Sequence, residues 1–199
     1  MTFDSPSYTI EKKGPTGHGK ETFPWTLLSP STVTCCFSGH RPARLPWGRN
    51  EADPRCLALK ARLDQALEEA HRQGFRHFLC GMAQGADLYF CQAVLDLRQR
   101  HPEVTLEAAI PFAGQADHWS AADQRRRMTL LDQCDLETVV QHTYTPGCMN
   151  RRNRYMVDRS SLLIVVYDGI PQGGTLNTLS YAMGKGVRTV ILPVVSPAQ

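Results

Sequence analysis

The sequence predicts an α/β chain, a three-layer fold with a mainly parallel sheet flanked by helices. Three observations carry that expectation. Short apolar runs alternate with helix-period segments along most of the chain. The runs are apolar at successive positions, as in Leu162-Leu163-Ile164-Val165-Val166, which suits strands covered on both faces. Glycine-rich turns repeatedly stand where a strand hands over to a helix. With 199 residues, 42% of them hydrophobic, the chain suits one domain with a real core.

Residues 1–30, rich in Lys, Gly, Pro, Ser and Thr without a steady period, read as an irregular N-terminal extension. Residues 31–199 read as the single domain. Val33 to Ser38 is its first strand, and Asp53-Pro54 caps a helix in which Cys56, Leu59, Leu63, Leu67 and Ala70 share a face until Gly74. Phe75 to Cys80 is the next strand, and Ala86 to Leu97 mark a helix that ends at His101-Pro102. Val104 to Ile110 is a strand, Gln115 to Asp132 a helix, and Leu136 to Val140 a weaker strand. A helix from Pro146-Gly147 to Asp158 precedes the Ser161 to Tyr167 strand. Gly173-Gly174-Thr175 opens the last helix, and Val187 to Leu192 is the last strand.

Composition narrows the functions. The formal charge is +3, from 22 basic and 19 acidic residues, which makes no electrostatic case for nucleic acid. Seven cysteines without a CxxC pair read as buried reduced thiols rather than a disulfide framework. No secretory signal pattern or membrane-length apolar run stands out, so a cytoplasmic protein with no membrane partner is expected.

In a parallel sheet, ligands gather beyond the carboxyl ends of the strands. Three loops there are unusual: Gly39-His40-Arg41-Pro42, Gly81 to Asp87, and Asp168 to Thr175. Glycine lets backbone N–H groups approach an anion, and a helix start adds partial positive charge. One such turn is weak evidence, because turns need glycine anyway; three in equivalent positions point to a phosphate-bearing ligand. Arg151 and Arg152 near a helix start could clamp phosphate with a bidentate fork. Arg154 and Arg159 read as a solvated helix face, and Arg125-Arg126-Arg127 as mostly surface with one member able to point at the site. Asp87 and Asp168 are each candidates either for a ribose hydroxyl or for a helix cap. Gly14 to Lys20 imitates a P-loop, but Glu21 stands where Ser or Thr would hold magnesium. Cys134, His142 and Cys148 match no standard zinc spacing, and no metal is expected. Ser38 lacks the GxSxG elbow of a hydrolase nucleophile.

These residues resemble the SLOG superfamily, and within it the YpsA-like branch. The matching pieces are Cys36-Phe37-Ser38-Gly39-His40-Arg41-Pro42, Gly81-Met82-Ala83-Gln84-Gly85-Ala86-Asp87, Ile110-Pro111-Phe112 with Gln115 and Trp119, Arg151-Arg152-Asn153, and Tyr167-Asp168 with Gly173-Gly174-Thr175. The resemblance implies a Rossmann-like fold with a nucleotide or nucleotide derivative as ligand, and a homo-oligomer. The same superfamily contains the LOG phosphoribohydrolases, with the pattern Met-His-x-Arg-Lys-x-x-Met followed by Gly-Gly-x-Gly-Thr-x-x-Glu. Met149, Arg152 and Met156 fall on the first motif, but Asn150 and Asn153 replace its His and Lys. Gly174 and Thr175 fall on the second, and Thr178 occupies the catalytic Glu position. Glycosidic cleavage needs a carboxylate that threonine does not supply, so the catalytic half of the LOG site is missing unless Asp87, Asp158 or Asp168 substitutes for it.

The leading expectation is therefore a binding or sensor domain. Gly39, His40, Arg41, Gly81, Gln84, Gly85, Arg151, Arg152, Gly173, Gly174 and Thr175 would surround the phosphate, and Asp87 or Asp168 the sugar. The alternatives are a nucleotide-processing hydrolase of the N-glycosidase type and a single-stranded DNA binder like DprA, another member of the superfamily. The near-neutral charge counts against the latter.

Overall fold

A computed structural model describes residues 9–14, 17–19 and 31–194. Eight strands and five helices follow in the order β1 (Thr9–Gly14), β2 (Gly17–Gly19), β3 (Thr34–Ser38), α1 (Pro54–Arg72), β4 (His77–Cys80), α2 (Ala86–Arg100), β5 (Thr105–Ile110), α3 (Ala121–Leu131), β6 (Leu136–Val139), α4 (Cys148–Asp158), β7 (Leu162–Tyr167), α5 (Gly174–Gly184) and β8 (Arg188–Pro193). They form one sheet in the order β2-β1-β6-β5-β4-β3-β7-β8. The six strands from β6 to β8 are parallel, as expected of strands joined by helices.

Alternation along the strands splits the core in two. Cys35, Phe37, Phe78, Ile164 and Val166 face α1 and α2 on one side. Cys36, Leu79, Leu163 and Val165 face Tyr155, Met156 and Leu179 of α4 and α5 on the other. The α1 stripe of Cys56, Leu59, Leu63, Leu67 and Ala70 is buried as its spacing requires, and Asp53 caps that helix through the Arg55 N–H at 2.8 Å. All seven cysteines are buried and unpaired.

Two sequence expectations are corrected. Residues 9–14 and 17–19 are not irregular: they form a hairpin whose first strand pairs antiparallel with β6, Thr9 opposite Val139. The remainder of residues 1–30 lies outside the described residues. β1 lies between β2 and β6 and is held on both sides by backbone bonds, which do not depend on side-chain type, so Thr-Ile-Glu-Lys-Lys gave no strand signal. The helix expected from Gln115 begins only at Ala121, because the Ser120 hydroxyl accepts the Asp123 N–H at 3.2 Å and caps it there. Before it, residues 112–119 turn three times through i to i+3 backbone bonds.

Candidate functional site

From β3 the chain crosses by α1 to β4 on one side, while β7 continues by α5 to β8 on the other. The carboxyl ends of β3 and β7 therefore diverge, leaving the crevice in which such sheets bind ligands. A cleft of about 300 Å³ opens there. Its walls are Gly39, His40, Arg41 and Arg44 after β3, and Gly173, Gly174 and Thr175 after β7. Asp87 of α2 with Arg152 and Asn153 of α4 complete it.

His40 ties the two walls together. Its Nδ1 lies 3.2 Å from the Thr175 hydroxyl, and its Nε2 accepts the Asp168 backbone N–H at 3.1 Å. The ring is buried, and that burial lowers its pKa below the ordinary 6.5 although Asp168 pulls the other way. A neutral ring protonated on Nδ1 satisfies these two contacts; Nε2 also stands 3.1 Å from Asp168 Oδ1, which becomes an ion pair when the ring is protonated. Asp168 itself receives Arg44 through Nε at 3.1 Å and Nη2 at 2.6 Å, and the Ile170 N–H at 3.0 Å. Burial works against the Asp168 carboxylate, but the Ile170 N–H, Arg44 and His40 outweigh it and hold its pKa down. Arg44 also donates to the Gln172 carbonyl at 2.9 Å, which fixes the loop before α5.

The floor is a chain of hydrogen bonds from β4 to α5. Arg152 Nη1 donates to the Gly81 carbonyl and, at 3.3 Å, to the Ala109 carbonyl. Its Nε donates to Asn153 Oδ1 at 2.8 Å; Asn153 Nδ2 then donates to Thr178 Oγ1 at 2.7 Å, and Thr178 donates to the Gly174 carbonyl at 2.9 Å. Asp87 is buried beside this chain and accepts the Ala83 N–H at 3.1 Å. Its burial raises its pKa, and Arg152 with the Ala83 N–H opposes that.

One end of the cleft is unfinished. Helix α5 has Gly173 at its N-cap with φ +94°, and no side chain caps it. A Cβ on Gly174 would meet nothing within 4 Å. The first N–H groups of an α-helix have no partners within it, and here they open onto the cleft beside arginines.

The expected residues separate into three groups. Gly39, His40, Arg41, Asp87, Arg152, Gly173, Gly174 and Thr175 line the cleft. Gly81, Gly85 and Asp168 lie behind it and hold its walls: the Gly81 carbonyl receives Arg152, Gly85 starts α2 against His40, and Asp168 anchors His40 and Arg44. Gln84 and Arg151 are placed elsewhere, Gln84 donating to Asp123 at 2.9 Å and exposed Arg151 to Gln141 at 2.7 Å. Of the Arg125–Arg127 cluster, expected as mostly surface with one member free to turn inward, Arg127 is the buried one and donates to Gln115 at 3.3 Å. Arg44 was missed. Its place follows from the Pro42–Arg44 3₁₀ turn, which brings Arg44 to the side of Arg41, and from distant Asp168, neither of which loop position reveals.

The YpsA family model, described as the YspA SLOG family, matches residues 35–186. The SPbeta prophage-derived protein YoqJ of Bacillus subtilis is 32% identical over 143 residues, covering 65% of this chain and 83% of its own. YpsA of Bacillus subtilis is 26% identical over 144 residues, covering 69% and 77%. Among solved structures, DNA processing protein A from Streptococcus pneumoniae superposes with a TM-score of 0.58 at 17% identity. That likeness covers 84% of this chain, which spans about half (52%) of the other. The Helicobacter pylori counterpart, described with a single-stranded DNA binding mode, also gives 0.58, at 16% identity over 85% of this chain and 69% of its own. At such identities the two show a shared Rossmann-like fold. Matched by the family model across β3 to α5, the segment whose loops build the cleft, this chain belongs to the YspA SLOG family.

Proposed function

We propose that the cleft binds a nucleotide or nucleotide-derived ligand by its phosphate, and that the chain acts as a binding or sensor domain rather than an enzyme. The observation that carries this reading is the uncapped start of α5, with Gly174 facing open space inside an arginine-lined cleft. Phosphate sits on the N–H groups of Gly174 and Thr175, with Arg41 and Arg44 supplying charge. Asp87 is the carboxylate that lines the cleft and receives a sugar hydroxyl; Asp168 is committed to Arg44 and His40.

The hydrolase alternative lacks the LOG glutamate and would have to draw its carboxylate from Asp87, which lines the cleft. Thr178 stands at the position where LOG enzymes carry glutamate, and its hydroxyl is already bonded to Asn153 and Gly174. Native mass spectrometry of gently purified protein, then calorimetry against mono- and dinucleotides, tests the binding reading. A nucleotide is expected to bind and to raise the melting temperature by linkage. Gly174→Leu adds a side chain at the rim of the cleft, where its Cβ meets no protein atom within 4 Å, and is expected to abolish that binding; Arg41→Ala is expected to weaken it. Binding unchanged in both variants, or no response to any nucleotide, overturns the reading. Chromatography of the same mixtures is expected to show no released base.

The likeness to DNA processing protein A favours single-stranded DNA as a second reading. It predicts oligonucleotide binding that weakens steeply with salt, measurable by fluorescence anisotropy.

A further inference from the structure

At the opposite pole of the sheet, where α1 and α2 end, a second cluster of side chains has the donor set of a metal site. Glu68 and His71 lie on one face of α1, three residues apart, and His101 is the C-cap of α2. One ligand atom from each lies within 4.8 Å of the other two. The two imidazoles stack with centroids 3.9 Å apart. Glu68 Oε2 stands 3.7 Å from His101 Nε2, beyond hydrogen-bond reach. Ligand atoms about 2.0–2.2 Å from a tetrahedral ion stand about 3.3–3.6 Å apart, so that spacing suits two donors on one ion.

The surroundings fit as well. Glu103 Oε1 accepts from His71 Nε2 at 2.8 Å, which leaves Nδ1 as the lone-pair nitrogen. A carboxylate that orients an imidazole in this way is a usual companion of a metal-binding histidine. Arg100 bonds Glu68 through Oε1 and leaves Oε2 toward His101. Asp64 and Asp96 line the same depression with Arg72, Arg76 and Arg100; burial, Asp96 and Glu68 raise the Asp64 pKa and Arg100 opposes them.

We propose that Glu68, His71 and His101 bind one divalent transition-metal ion of the zinc type, clamping the ends of α1 and α2 together. Two imidazoles and one carboxylate favour zinc over magnesium or calcium, which take oxygen donors. The site is remote from the cleft, so it stands or falls independently of the nucleotide reading.

The test is calorimetric titration of the EDTA-treated full chain with zinc chloride, repeated with magnesium chloride. Wild type is expected to bind one zinc per chain, to melt at higher temperature with it, and not to respond to magnesium. His71→Ala and His101→Gln each weaken zinc binding about tenfold or more. His101 is a third exposed, so His101→Gln keeps the fold, which circular dichroism checks. Cobalt(II) in place of zinc gives the visible absorption of nitrogen and oxygen ligation. No zinc bound by wild type overturns the proposal. Equal affinity in both variants, or a cobalt spectrum of thiolate ligation, also overturns it, because the metal would then sit elsewhere.

Discussion

The Gly81–Gly85 loop and the Gly173–Thr175 loop carry the same sequence signature and use their glycines for opposite purposes. A Cβ on Gly81 would run into the Arg152 guanidinium and lie 2.8 Å from Asp87 Oδ2. On Gly85, at φ +89°, it would lie 2.6 Å from the His40 carbonyl oxygen. That loop is packed shut, and its missing side chains are replaced by a guanidinium and a neighbouring backbone. Gly174 faces nothing within 4 Å. Glycine there leaves the rim of the cleft uncovered, which is the room the proposed ligand would use. The difference teaches that a glycine-rich turn after a strand marks close approach, while only the environment says whether the approaching group is protein or ligand.

The largest effects should come from the shut loop. Arg152→Met removes the cation beside buried Asp87 and the donor to the Gly81 and Ala109 carbonyls. A loss of about 3 kcal/mol in urea unfolding is expected, because the carboxylate and carbonyls stay buried without it. A smaller loss, of about 2 kcal/mol, is expected for Gly85→Ala, which forces a side chain against backbone at a positive φ. Gly174→Leu, by contrast, should change stability by less than about 1 kcal/mol while abolishing nucleotide binding. If Gly174→Leu instead unfolds the protein and Gly85→Ala does not, the contrast between the loops is reversed.

This contrast also explains what could be read from the sequence. The parallel strands and their covering helices were legible because Phe78 and Leu79, or Leu163 and Ile164, are apolar at successive positions and so bury both faces. The edge hairpin was not, because its pairing with β6 is a backbone property. Among site residues, Gly39, Arg41 and Gly174 were legible from loop position alone. Arg44 was hidden because its role depends on Asp168, which is 124 residues away. Arg151 and Arg152 are adjacent and chemically identical, and only helix rotation sends one into the cleft and the other toward Gln141.

A weaker effect joins the two loops through pH. Burial holds the folded His40 pKa below 6.5, so between that lower value and 6.5 the unfolded chain carries more protons. The stabilisation is full above pH 6.5 and is lost as pH falls through the folded value. Asp168 acts in the same direction at lower pH: its depressed pKa contributes stability above 3.8 that is lost as pH falls through its folded value. Unfolding measured between about pH 7 and pH 5 should show a smaller decline in His40→Gln than in wild type. Equal declines would mean that other groups carry the dependence.

The smallest effect expected is none, and it bears on how far the cleft extends. Arg151 is the more exposed of the two neighbouring arginines, and its Nη1 is bonded to Gln141 at 2.7 Å. Solvent competes for such a contact, so Arg151→Ala should alter stability by less than about 0.5 kcal/mol. It should also leave nucleotide affinity unchanged, whereas Arg44→Ala frees Asp168 and weakens binding. A marked loss of affinity in Arg151→Ala would mean that the side chain leaves Gln141 when ligand enters. The binding surface would then reach over the start of α4, and the cleft between the β3 and β7 loops would be only part of it.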